Sequence, residues 1–273
     1  MKLLSFLVIT LLLPLSFMSV AQAQSAASPD NHSNAMSPRD YGAGYQIVVF
    51  TQHDEHAAIA GRPVKLDRKY PVIVSKLTPE AKAFNANMQQ RAATWWAGMK
   101  APKDNKTASD PNTDYSLDCE PVGAQPRMGD YIVQPDERML PGVISVTCGS
   151  YVFPHNVGHG GGKYWGFNWL VREGREVKPS DIFNMKTHWL AALTALADAD
   201  RAGHAPWAGK MDFSNTSHWV VETKGLGLAY SMAEFTGYID GGSGDFDLIS
   251  WTKLTPYLRK DGIVPTQDRI ASP

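Results

Sequence analysis

The densest group of chemically capable side chains lies in residues 148–169, CGSYVFPHNVGHGGGKYWGFNW. Here His155 and His159 stand beside a glycine cluster and Cys148. Neutral imidazoles at such spacing can hold zinc when a third ligand arrives from elsewhere, and His188, His204 and His218 are candidates. No H-E-x-x-H helix motif surrounds the pair, so the spacing alone assigns no metal. The expected role is structural. Residues 156–164 form a glycine turn between two strands, His159 fixes that turn through hydrogen bonds, and Tyr164 with Trp165 presents an aromatic surface. A metal-dependent periplasmic hydrolase using His155 and His159 is the alternative.

Other glycine-rich stretches fail as cofactor motifs. A phosphate-binding loop would need glycine at position 157 and Ser or Thr at 164, where Val157 and Tyr164 stand. GLGLAY (225–230) lacks the third glycine of a dinucleotide fingerprint. The segment around Ser243 ends in Asp245 where a nucleophile elbow needs glycine. DGGSGDFDLIS (240–250) resembles one calcium-binding nonapeptide, but Phe246 takes the place of its aspartate and no second copy follows. His53, Asp54, Glu55 and His56 form another cluster of ligand types, expected in a solvated loop. No catalytic residue, metal or cofactor is assigned.

The elements that position these residues follow from periodicity. YQIVVF (45–50), Tyr70–Val74, Tyr131–Val133, Val143–Cys148 and Phe167–Val171 are expected strands, with a turn through Arg172-Glu173-Gly174. Thr78, Pro79 and Glu80 are a helix start, with Phe84, Met88, Trp95 and Met99 on one apolar face. Residues 100–115 are expected as a polar loop. Trp189, Leu193 and Leu196 share a second helix face. A hairpin is expected to turn at Lys224-Gly225, and a last helix to start at Thr255-Pro256. Strands and helices interleave without a βαβ period, which predicts an α+β fold of mixed and antiparallel sheets packed with a few helices.

The N-terminus, MKLLSFLVITLLLPLSFMSVAQAQ, has the n-region, apolar core and small-x-small end of a secretory signal peptide, with cleavage expected near Ala23. Export to the periplasm or medium suits the two cysteines, Cys119 and Cys148, expected as one disulfide worth about 3–4 kcal/mol, fastening an irregular loop to a sheet. The full chain has 26 basic and 27 acidic residues, and removal of residues 1–23 takes away only Lys2. Such a balance gives no drive toward nucleic acid, and no second apolar run is expected to make an integral membrane segment in the mature chain.

RKYPVIVSKL (68–77) with FNANMQQRAATWW (84–96) resembles the Tyr-Pro strand and following helix of RsiV-like exported domains. VISVTCGSYVF (143–153), the segment 157–183 and the segment 221–258 are similar to that family's core and tail. The resemblance covers roughly Tyr70 to Leu258, and it maps His159 onto the family's histidine and Asp181 with Phe183 onto its closing motif. It implies a non-enzymatic α+β domain found in anti-sigma-factor ectodomains, where it is associated with sensing lysozyme, and beside peptidoglycan deacetylases. Val157 and the lengthened glycine turn depart from the pattern. No transmembrane or sigma-binding segment is seen, so a signalling role is not expected.

The expected organisation is a signal peptide (1–23), a disordered tether (24–42), an N-terminal α+β subdomain (43–147), an RsiV-like C-terminal α+β domain (148–265) and a tail (266–273). The expected function is an exported, non-catalytic binding module of the cell envelope whose partner is lysozyme or peptidoglycan. The 8 Trp and 10 Tyr suit it, because aromatic rings stack on sugars and anchor interfaces. A structural envelope protein is the remaining alternative.

Overall fold

The computed structural model describes residues 39–40, 45–54, 57–59, 62–100, 113–122, 139–154, 161–201, 212–229 and 247–264. The expected strand Tyr131–Val133, His155, His159, the signal peptide and residues 24–38 and 41–42 of the tether lie outside them, whereas Arg39 and Asp40, expected in the disordered tether, pair with Ile47 and Gln46 as a short strand.

Strand-forming residues with two-residue alternation build the centre. Strands β1 (Arg39–Asp40), β2 (Gln46–Asp54), β5 (Lys65–Ile73), β6 (Thr113–Pro121), β7 (Val143–Pro154), β8 (Gly161–Leu170) and β9 (Arg175–Glu176) form one sheet in the order β1-β2-β5-β6-β7-β8-β9. A separate small ribbon joins β3 (Ala58–Ile59) to β4 (Arg62–Pro63). All neighbours in the large sheet are antiparallel except β5 and β6. A parallel pair needs a crossover, and helix α1 (Pro79–Lys100) lies in that connection. Its start is as predicted: Thr78 Oγ1 accepts from the Ala81 amide at 3.3 Å, and Pro79 opens the helix. Ala81, Phe84, Met88 and Ala92 recur every three or four residues and are all buried.

This face of α1 covers one side of the sheet. It meets Leu117 and Cys119 of β6, Ile144, Val146 and Cys148 of β7, and Phe167 and Trp169 of β8. The Phe84 ring sits edge-on to Trp169 at 6.0 Å. Arg91 of α1 lies 4.4 Å over the Phe167 ring and hydrogen-bonds Glu176. Asn85 ties the helix to the end of β5, its amide accepting from Ile73 N at 2.8 Å and donating to Ile73 O at 2.9 Å.

Cys119 and Cys148 are disulfide-bonded within this core. They are register partners on β6 and β7. The bond thus joins two adjacent strands rather than fastening a loop to the sheet. Residues 113–115, expected in a polar loop, belong to β6, whose nine residues alternate strictly between buried and half-buried. Asp114, Ser116, Asp118 and Glu120 face outward while Thr113, Tyr115, Leu117 and Cys119 are buried, so loop-like composition conceals a two-faced strand. Strand β7 runs through residues 147 and 148, so the division expected there falls within a strand.

The other side of the sheet, at β7 and β8, carries a second layer. Strands β10 (Trp219–Val221), β11 (Gly225–Leu228) and β12 (Asp247–Ser250) pair antiparallel in that order. Helices α2 (Pro179–Ile182), α3 (Trp189–Arg201) and α4 (Trp251–Leu254) pack with them around Phe183, Leu193, Trp219 and Leu254. Phe183 stacks on Trp189 at 4.7 Å, and Trp219 stands edge-on to both. Asp181 holds α2 down. Partial burial pushes its carboxyl up, but the two-pronged Arg175 contact at 2.8 and 2.9 Å and the Lys178 amide bring it below the usual range.

Two expected boundaries shift. The Glu222 amide donates to Gly225 O at 3.0 Å, so the hairpin turns at Thr223-Lys224 and Gly225 begins β11. Helix α4 starts at Trp251, and Thr255-Pro256 instead begins a short 3-10 turn after it.

The layers meet through polar groups. Strand β10 offers β11 one edge, while its other edge points at the large sheet with backbone groups that need partners. Asn168 on β8 supplies them: its amide donates to Trp219 O at 2.7 Å and accepts from Val221 N at 2.8 Å. Ser145, its cross-strand neighbour on β7, donates to Val221 O at 2.6 Å. Gly166 permits the close approach, because a Cβ there would lie 1.9 Å from Trp219 O.

Asn168→Ala leaves buried amide and carbonyl groups without partners, and it should lower unfolding stability in urea by about 2–4 kcal/mol. A loss below about 0.5 kcal/mol would show that the layers do not depend on this amide. Replacing both cysteines by alanine should cost about 3–4 kcal/mol, measured in the same way, and leave the far-ultraviolet circular dichroism spectrum unchanged.

Candidate functional site

The side of the sheet facing away from α1 carries polar and aromatic residues in register. Lys69 on β5 lies opposite Asp118 on β6, Asp118 opposite Gly149 on β7, and Gly149 opposite Tyr164 on β8. The next row but one along the strands runs His53, Asp67, Ser116, Tyr151 and Gly162. Alternation sends these side chains outward while their sequence neighbours fill the α1 core.

Each tyrosine lies over a glycine. A Cβ on Gly149 would come 2.8 Å from Tyr164 Cε1, and one on Gly162 would come 3.3 Å from Tyr151 Cδ2. The missing side chains allow both rings to lie across the neighbouring strand. Tyr151 also stacks on Phe153 at 6.1 Å. Gly161 and Gly162, expected in a turn over 156–164, are instead paired residues of β8 opposite Val152 and Tyr151. At Gly162 the missing side chain makes room for the Tyr151 ring on the adjoining strand, whereas a Cβ on Gly161 would meet nothing within 4 Å.

Charge concentrates beside Tyr164. Lys69 Nζ contacts Asp118 Oδ2 at 3.1 Å. Burial pulls the Lys69 ammonium down, yet Asp118 more than offsets this and holds it above the usual range. Glu120, two residues along β6 on the same side, is pushed up to about 7 by burial first and by Asp118 second, with Lys69 opposing. Burial, then Tyr151 and Asp118, raises the Tyr164 phenol. Thr147 donates its hydroxyl to Glu120 O at 3.4 Å and so leans on the same strand. In the next row, His53 Nδ1 and Asp67 Oδ1 are 2.6 Å apart. His53 and Asp54, expected in a solvated loop, are the last residues of β2.

Such a face can bind. It offers an ammonium, carboxyl groups and phenolic rings on a rigid support, suited to hydrogen bonding and stacking. Among the described residues, no three His, Cys, Asp or Glu side chains converge as a metal site. The two aromatics expected to share a surface are separated. Tyr164 is on the outer face, whereas Trp165 packs against the α1 core beside Cys148. Asp181 and Phe183 hold α2 and fill the second core. Lys69, Asp118 and Glu120 were not singled out by sequence reasoning. The alternation in TDYSLDCEP signals the outward-facing Asp118 and Glu120, whereas Lys69 joins them only through strand pairing.

No family model matches the sequence, and no curated protein does. Solved structures do resemble it. A DUF3298 family member from Bacteroides fragilis superposes with a TM-score of 0.54 at 12% identity, covering 86% of this chain and 100% of that one. A DUF3298 family protein from Pseudomonas aeruginosa gives 0.52 at 12% identity, covering 84% of this chain and 100% of its own. The described residues include no helix long and apolar enough to cross a membrane. The chain shares its fold with proteins of the DUF3298 family.

Proposed function

We propose that this chain is an exported, non-catalytic binding module of the cell envelope, with lysozyme or peptidoglycan as its partner. The observation that carries this reading is the row Lys69, Asp118, Gly149 and Tyr164 across four strands, on the side away from α1. A rigid sheet with phenolic rings and charges in register suits recognition of a sugar chain or a protein surface. The signal-peptide pattern at residues 1–23 and the resemblance to RsiV-like domains support an envelope location and a cell-wall partner. The central polar groups Asn168 and Ser145 are taken up by backbone contacts between layers, which supports a scaffold role for them.

Pull-down with lysozyme and co-sedimentation with purified peptidoglycan test the proposal. The chain should be retained by one of the two, and Tyr164→Ala should weaken that retention about tenfold while leaving the unfolding midpoint near the parent's. Retention by neither removes the partner assignment. Stoichiometric zinc in untagged protein would favour the hydrolase alternative built on His155 and His159. Mass spectrometry of the chain from fractionated cells should find a mature N-terminus near Gln24.

A further inference from the structure

Asp118 and Glu120 sit two residues apart on the same side of β6. Asp118 Oδ2 is engaged by Lys69, whereas Asp118 Oδ1 is buried and receives no hydrogen bond. A buried carboxylate oxygen without a donor is costly, and the nearest remedy is a proton on the neighbouring acid. Glu120 is the next residue along that side of β6, and burial and the Asp118 charge both oppose its ionisation.

We propose that Asp118 and Glu120 hold one proton between them, and that its loss is a switch on the outer face of the sheet that draws Lys69 from one carboxylate to two. In the protonated state the Glu120 carboxyl donates its O–H to Asp118, and Lys69 balances the single negative charge. When that proton leaves to solvent, two adjacent carboxylates compete for one ammonium. Other described titratable groups on this side of these strands are Asp67 on β5, which is engaged with His53 of β2 and acts on Lys69, and Tyr151 on β7 and Tyr164 on β8, the latter acted on by Asp118. The proposal concerns the folded chain itself and does not depend on which partner it binds.

The sign follows from proton linkage. A carboxyl whose folded value lies above its unfolded one binds more protons when folded. Its stabilising contribution is full below about 4.5 and is lost as pH rises through about 7. Two measurements decide the matter on the full chain. Carbon-13 NMR of glutamate side-chain carboxyls should show one resonance titrating near 7, absent in Glu120→Gln and shifted to lower pH in Asp118→Asn. Urea unfolding between pH 4.5 and 8 should show the folding constant of the parent falling about tenfold or more across that window, with the fall largely removed in Glu120→Gln. Every glutamate titrating between about 4 and 5 would overturn the proposal, as would an undiminished fall in Glu120→Gln. Should either variant fail to fold, the titration of the parent chain still decides it.

Discussion

A strand edge buried against another sheet must find partners for its peptide groups, and the architecture turns on how β10 does so. Asn168 presents a side-chain amide with the donor and acceptor of a peptide bond, and Ser145 adds a hydroxyl. Asn85 does the same for Ile73 at the end of β5, on the opposite side of the sheet. Side-chain amides thus stand in for missing strands where α1 and the second layer dock. Orphaned peptide groups cost more than most apolar contacts return, so these contacts specify where each layer sits.

With one side of the large sheet closed by α1 and the region near Asn168 closed by the second layer, the chain separates its chemistry cleanly. Phe84, Phe167, Trp169 and the disulfide lie on the α1 side. Lys69, Asp118, Glu120, Tyr151 and Tyr164 lie on the other. The same alternation that buries Cys119 turns Asp118 and Glu120 outward, so core and candidate site are two faces of one pattern.

Much of this was legible in the sequence. The α1 start at Thr78-Pro79, its apolar face, the disulfide and the α+β class follow from local rules and are present. The misplaced features share a cause. Glycine in GHGGGKYW signals a turn by composition, yet Gly162 is there because Tyr151 on another strand needs the space. Gly225 opens a strand, since a Cβ there would lie 2.4 Å from Ile249 O. Residues 113–115 look like loop until a partner strand supplies the second face. Close approach between strands distant in sequence leaves no local signature. The grouping of Lys69 and Asp118 with Tyr164, the member named from the sequence, was missed for that reason, because it arises only through pairing.

The position of the disulfide carries one more consequence. Cys119 and Cys148 stand directly opposite one another on β6 and β7. A slip of one residue would turn one sulfur to the far side of the sheet, out of reach of the other. Oxidation therefore proofreads the alignment, since misaligned hairpins keep their thiols and stay free to rearrange, while the correct one is sealed covalently.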